Sequence, residues 1–254
     1  MKIVTWNVNS VRTRIEHIKK LIDTLSPDVI CLQETKVQDK DFPEKTFKDV
    51  GYYSVFSGQK SYNGVAILSR HSFKNYKADL FDTNGQKRTM EITINDTTFI
   101  NAYFPRGGER GEEAYFFKLE FYQKMKDYLE KHFLPSEKII LCGDFNVART
   151  EKDVWDPELL QNAVGFMKEE RAALENLLDF GLIDLFREFH TEKAFSWWDY
   201  RMGAFKRNMG MRIDYILVSK RVRELSEECT IHKSFRALKK PSDHAPLSAN
   251  IKLF

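Results

Sequence analysis

The feature that most constrains this chain is a set of five short apolar runs, each of which ends on, or leads into, carboxylate, amide or imidazole side chains. Ile3-Val4-Thr5-Trp6 is followed by Asn7 and Asn9, Val29-Ile30-Cys31-Leu32 by Glu34, and Ile139-Ile140-Leu141-Cys142 by Asp144 and Asn146. Asp214 sits beside Ile213, and Asp243-His244 precede a last strand-like run. Runs this short, bounded by turn residues, read as buried strands. Polar groups at the ends of such strands tend to converge on one crevice. A crevice rich in oxygen ligands, with one imidazole, suits a hard divalent cation and a phosphate ester better than a thiol or a nicotinamide. Phosphodiester cleavage is the leading expectation.

The rest of the chain supplies a frame for these runs. Residues 2–8, 28–34, 52–56, 64–69, 90–94, 98–104, 138–145, 212–218 and 245–252 read as strands, with Asn95-Asp96 a hairpin turn. From Val11 to Leu25 the apolar positions Ile15, Ile18, Ile22 and Leu25 recur at helical spacing, and Ser26-Pro27 stops that helix. Residues 112–132 make a long helix carrying Phe116, Leu119, Tyr122, Met125 and Leu129, and residues 168–180 a helix closed by Gly181. Strands in pairs with few helices between them predict two mixed β-sheets packed face to face with helices outside, an α/β class. No linker or repeat breaks the chain, so residues 1–254 are expected to form one domain. Two long segments without periodicity, 149–166 and 195–211, are expected to be functional loops.

Bulk properties narrow the setting. The chain has 254 residues, 42% of them hydrophobic, which allows a large core. Its net charge of +3 permits nucleic-acid binding without demanding it. Acids gathered around a metal would leave the remaining surface more basic than that figure. Cys31, Cys142 and Cys229 lack C-x-x-C spacing, and two of them sit inside apolar runs, so a disulfide framework or zinc site is not expected. With no apolar leader or membrane-length run in the sequence, a cytoplasmic protein without membrane contact is expected.

Each candidate residue has a plain reading beside its chemical one. Glu34 alone would be a solvated carboxylate; grouped with Asp144 and Asp243 it becomes a metal ligand. Asp144 and Asn146, two residues apart, point to one side of the chain with Phe145 opposite. They form either an Asx turn or a pair that deprotonates and orients water. His244 gains meaning if Asp214 lies behind its ring, because an acidic partner favours the imidazolium; a structural Asp–His hydrogen bond is the alternative. Tyr103 is either a core aromatic or a phenol facing the site. Phe195-Ser196-Trp197-Trp198-Asp199-Tyr200-Arg201, continuing to Met211-Arg212-Ile213, mixes aromatics with bases as an unstacked nucleotide requires, or else forms a core corner. Arg88, Arg106, Arg110, Lys206, Arg207 and Arg212 are candidate phosphate contacts, though each alone reads as a surface charge.

In this order, Trp6-Asn7-Val8-Asn9, Leu32-Gln33-Glu34-Thr35-Lys36, Gly143-Asp144-Phe145-Asn146, Trp197-Trp198-Asp199-Tyr200-Arg201, Arg212-Ile213-Asp214-Tyr215 and Ser242-Asp243-His244 span nearly the whole chain. The series resembles the exonuclease III class of apurinic/apyrimidinic (AP) endonucleases. The resemblance implies a four-layered α/β sandwich, as in deoxyribonuclease I. It implies metal binding by Glu34, with Asn7, Asp144, Asn146, Asp243 and His244 around the ion. The catalytic residues it implies are Tyr103, aimed at the scissile phosphate, Asp144, which activates water, Asn146, which orients it, and the Asp214–His244 pair. Trp197, Met211 and Ile213 would receive a flipped-out baseless sugar, and Tyr62 and Arg88 would grip the DNA backbone. Asn9 stands where some members place an aspartate, which removes a charge near the cation, and Asn162 lies out of register with a phosphate-contacting asparagine of some relatives.

The implied activity is hydrolysis 5′ to abasic sites in double-stranded DNA with Mg2+, for which Mn2+ could substitute, by a monomer. Exonuclease and 3′-phosphodiesterase side activities come with the resemblance. The rivals are a phosphatase of soluble or lipid phosphoesters on the same fold and a DNA-binding module with a relict site. Side-by-side assays on abasic duplex and an inositol polyphosphate would separate the first rival. The intact set of Glu34, Asp144, Asn146, Asp214 and His244 argues against the second.

Overall fold

Alternation gives each apolar strand two faces, and here both are covered. In the computed structural model, which describes residues 1–253, the strands are β1 (Lys2–Asn7), β2 (Val29–Gln33), β3 (Tyr53–Ser57), β4 (Val65–Ser69), β5 (Lys74–Ala78), β6 (Thr89–Ile94), β7 (Thr97–Tyr103), β8 (Lys138–Asp144), β9 (Leu182–Asp184), β10 (Asp214–Ser219), β11 (Ser226–Ile231) and β12 (Leu247–Ile251). They form two six-stranded sheets, in the orders β11-β12-β1-β2-β4-β3 and β5-β6-β7-β8-β10-β9. β1 and β2 pair in parallel, as do β7 and β8, within otherwise antiparallel neighbours.

Ile3 of β1 and Ile140 and Cys142 of β8 enter a shared core between the sheets. Val4 and Trp6 face outward under the helix Ile15–Leu25, meeting its Ile18, Leu21 and Ile22. Ile139 and Leu141 face outward under the helices Glu113–His132 and Lys168–Leu178. Helix, sheet, sheet, helix: burial on both faces of both sheets requires four layers, the expected sandwich.

Register then decides where the polar strand ends go. Tyr103 lies opposite Asp144 across β7 and β8, and Asp144 opposite Asp214 across β8 and β10. Asn7 lies opposite Gln33 across β1 and β2. With a period of two, these side chains follow Phe99, Cys142, Ile216, Ile3 and Cys31 onto the inter-sheet side. They form the last layer of the sandwich at one edge. One layer deeper, Asn101 of the second sheet donates to the Leu32 and Ala66 carbonyls of the first, both at 2.9 Å, and accepts from Gln33 Nε2 at 2.7 Å. That buried amide pair ties the two sheets directly beneath the site.

The structure departs from the sequence reading in its edge strands, in the start of one helix and the inward face of another, and in the short helices Glu44–Lys48, Pro157–Leu160, Leu185–Phe189 and Lys220–Arg223, which the reading did not contain. The strands β5, β9 and β11, all at sheet edges, carry no legible apolar pattern. The helix expected from residue 11 starts at Ile15, after a tight turn over Arg12–Arg14. On Glu113–His132 the buried stripe is Tyr115, Lys118, Phe121, Tyr122, Met125, Tyr128 and Leu129, and Phe116 is exposed. Among the described residues no helix is long and apolar enough to cross a membrane.

Candidate active site

Asn7 is the meeting point of the two sheets. Its Nδ2 donates to Glu34 Oε1 at 2.8 Å and to Asp144 Oδ2 at 2.9 Å. One amide nitrogen thus holds a carboxylate from each sheet on either side. Glu34 stands just past β2 with φ +52°, and Asn146 just past β8 with φ +53°. Left-handed backbone is uncommon outside glycine and is tolerated where the surroundings enforce it. At Asn146 the enforcement is visible: its N–H donates to Asp144 Oδ1 at 2.9 Å and its Nδ2 to the Phe104 carbonyl at 2.9 Å. Phe145 turns the other way, stacked on Phe104 with centroids 4.3 Å apart.

His244 comes from the segment before β12. Its Nδ1 lies 2.9 Å from Asp214 Oδ2 and 3.1 Å from Oδ1. An ionised carboxylate only accepts, so Nδ1 carries the proton and Nε2 faces the cleft, 3.7 Å from Asp144 Oδ2. Ser196 Oγ holds Asp214 from behind, donating to Oδ2 at 2.6 Å while accepting the Ile213 and Asp214 amides at 3.1 and 3.2 Å. Burial alone would lower the pKa of His244, but the Asp214 and Asp144 carboxylates outweigh it and raise the imidazole to about 10. Burial raises Asp144 to about 7, with Asp214 adding to the rise and His244 opposing it. The histidine is thereby kept as a cation and the aspartate is poised to take a proton.

These groups floor a cleft of about 290 Å³. Trp197, Met211 and Ile213 make an apolar wall, and Arg106, Val164, Gly165, Tyr200 and Arg201 complete the rim. The wall is laced to the floor by backbone bridges from Trp197 to Met211 and to His244. Tyr103 also lines the cleft; burial, then the Glu34 and Asp144 charges, push its phenol well above the ordinary range, so it stays a neutral donor.

The expected site residues therefore converge, with exceptions. Arg212 is fully buried, paired with Asp153 at 2.6 Å and Asp184 at 2.6 Å, and this corrects its reading as a DNA contact: it is an internal brace. Arg88 is 8% exposed, lies over the Tyr103 ring at 4.6 Å and donates to the Tyr103 carbonyl at 3.0 Å, so it backs the phenol instead of offering a free charge. Tyr62 is 69% exposed and outside the cleft lining. Arg110 is bound to Glu169 at 2.8 Å and Asn162 at 3.1 Å. Asp243 lines the cleft, but its oxygens are taken by Asn9 Nδ2 and Trp197 Nε1, both at 3.0 Å.

Two residues escaped the sequence reading. Ser196 was visible only as part of an aromatic run. Lys36 puts its ammonium 2.7 Å from Glu34 Oε2 and 2.6 Å from Asn9 Oδ1. Asn9 thus links that ammonium to Asp243.

The donors fit a hard cation. Asp144, Asp214 and His244 present ligand atoms within 4.8 Å of one another, a group that could hold a metal ion. Of the nearby carboxylates, Glu34 and Asp144, flanking Asn7, line the cleft whereas Asp214 lies behind His244, and Glu34 shares its Oε2 with the Lys36 ammonium.

Residues 4–244 match the model of the endonuclease/exonuclease/phosphatase family. The chain is 37% identical to exodeoxyribonuclease III of Haemophilus influenzae, over 99% of this chain and 100% of that protein. An AP endonuclease structure from Archaeoglobus fulgidus superposes with a TM-score of 0.95 at 36% identity, covering 100% of both chains. A 3′-5′ exonuclease from Neisseria meningitidis gives 0.94 at 34% identity over 99% of each. Fold, strand-end cluster and sequence agree that the chain belongs to the endonuclease/exonuclease/phosphatase family.

Proposed function

We propose that this chain is a DNA-repair nuclease that hydrolyses the phosphodiester on the 5′ side of abasic sites in double-stranded DNA, leaving a 3′-hydroxyl and a 5′-deoxyribose phosphate. The observation that carries this is the joining of Glu34, Asn7, Asp144, Asn146 and the Asp214–His244 pair at the floor of a cleft walled by Trp197, Met211 and Ile213. Names among the relatives, exodeoxyribonuclease III and AP endonuclease, agree with it. Exonuclease and 3′-phosphodiesterase side reactions would use the same floor.

Asp144 takes a proton from a water that Asn146 orients, and the oxygen attacks phosphorus as the bond to the 3′-oxygen breaks. His244, held cationic by Asp214, donates to the phosphoryl oxygens through Nε2. Tyr103 donates from the neutral phenol. Glu34 and Asp144, with Asn7 between them, would hold Mg2+, which when bound supplies Lewis-acid charge at a phosphoryl oxygen. An abasic nucleotide has no base to unpair or unstack, so its extrusion costs less than that of an intact one, and the apolar wall can accept the bare sugar.

The test is an end-labelled duplex bearing one tetrahydrofuran site, incubated with Mg2+ and with EDTA. One incision 5′ to the lesion, dependent on the metal, is expected. Full cutting in EDTA would remove the cation from the mechanism, and equal cutting of intact duplex would remove the lesion preference.

A further inference from the structure

The helix Glu113–His132 buries a charge where its periodicity calls for an apolar side chain. Lys118 follows Tyr115 by three and precedes Tyr122 by four, in the buried stripe, with no exposed surface. Its ammonium has three protons and makes three hydrogen bonds: to Glu170 Oε1 at 2.5 Å, the Asn146 carbonyl at 2.7 Å and the Arg106 carbonyl at 3.1 Å. Glu170 carries the connection on, its Oε2 accepting the Gly165 amide at 2.7 Å and the Met167 amide at 3.1 Å. Arg106, Asn146 and Gly165 all line the cleft, and they come from three separate loops. At Gly107, where φ is +81°, a Cβ would stand 2.8 Å from Lys118 Cδ, so the loop is bent closely round this side chain.

We propose that Lys118, with Glu170, is a positioning residue that fixes the Asn146 turn against the two flanking cleft loops. The inference rests on the hydrolytic reading of that cleft. Stability alone gives little reason for the pair, since a buried ion pair is often no more stabilising than apolar side chains of its size. What an apolar pair cannot do is hold three loop segments at one point. A shift of about 1 Å at a reacting group can cost about 100-fold in rate, and the Asn146 backbone carbonyl is one hydrogen bond from the ammonium.

The experiment compares wild type, Lys118→Met and the charge-balanced Lys118→Met/Glu170→Gln. Each is assayed for kcat and KM on an abasic duplex and on a duplex with a recessed 3′ end, alongside its melting temperature. The single variant leaves a carboxylate buried alone and is expected to melt far lower. The double variant is expected to regain most of the melting temperature and to keep KM within about threefold, while kcat stays down by roughly 10- to 100-fold on both substrates. A kcat that recovers in step with the melting temperature would reduce Lys118 to a structural residue and overturn the inference. Wild type that digests the recessed end but spares the abasic duplex would overturn the lesion preference alone, and Lys118 would then be judged on the recessed end.

Discussion

The floor and the wall of the cleft are built differently. The floor comes from strand ends: Asn7, Asp144, Asp214 and His244 are 0–3% exposed, and each is held by at least two hydrogen bonds or ion-pair contacts. The wall and rim come from residues 149–166 and 195–213: Met211 and Ile213 are 8% and 5% exposed, while Tyr200 on the rim is 50% exposed. Groups that must stay fixed relative to a reacting phosphorus sit on the rigid layer, and groups that meet a variable substrate sit on loops. Chemistry and selection should therefore be separable by mutation, with floor variants losing rate and wall variants losing discrimination.

Asp144→Asn gives the largest expected effect. The new amide keeps the size of the carboxylate but has one accepting oxygen, so it accepts from Asn7 or from the Asn146 N–H and not from both, and it no longer takes the proton from water. Loss of a general base predicts a fall in kcat of about 10²- to 10⁴-fold. Binding of abasic duplex should stay within about threefold, on the assumption that the two states bind through the same contacts. Single-turnover rates and a binding titration on one preparation decide it; near-normal cutting would take the base role from Asp144.

Ser196→Ala acts on the floor one step back. It removes the donor to Asp214 Oδ2 and leaves the Ile213 and Asp214 amides without their acceptor. Orphaned buried amides cost about 1–3 kcal/mol of stability, and a loosened Asp214 should lower kcat by roughly tenfold through the orientation of His244. Urea unfolding and kcat are read together. A stability loss with unchanged kcat would mean that Ser196 supports the strand and not the histidine.

The contrast also explains what the sequence disclosed. Central strands are apolar on both faces, so β1, β2, β8 and β10 stood out, and their polar ends marked the floor. Edge strands bury one face or none: β5 reads Lys-Asn-Tyr-Lys-Ala and is largely exposed, so nothing in it distinguishes strand from loop. In the long helix Tyr122, Met125 and Leu129 face inward as their spacing predicts, but its first turns do not follow the pattern. Phe116 and Lys118 exchanged places because pattern reading treats every Lys as solvated, whereas a buried acceptor set, invisible in sequence, holds this one. Arg212 misled for the same reason, since its acids Asp153 and Asp184 are distant in the chain. Ser196 lies inside the Phe195–Arg201 run and Lys36 inside Leu32–Lys36, yet their partners emerge only when strands and loops are brought together.

Trp197→Ala is the smallest of the three effects and the sharpest for the comparison. The indole lines the cleft and its Nε1 donates to Asp243 Oδ2 at 3.0 Å, but it makes no hydrogen bond to Asp144, Asp214 or the His244 ring. Removing it should leave the abasic rate within a few-fold while the ratio of abasic to intact cleavage falls by roughly tenfold, the scale of one apolar pocket contact. The two substrates competing in one reaction give that ratio directly. If the ratio holds and the rate falls instead, the wall is serving the chemistry through Asp243, and the division between a floor that reacts and a wall that selects fails at the one residue where the two are stitched together by backbone bridges.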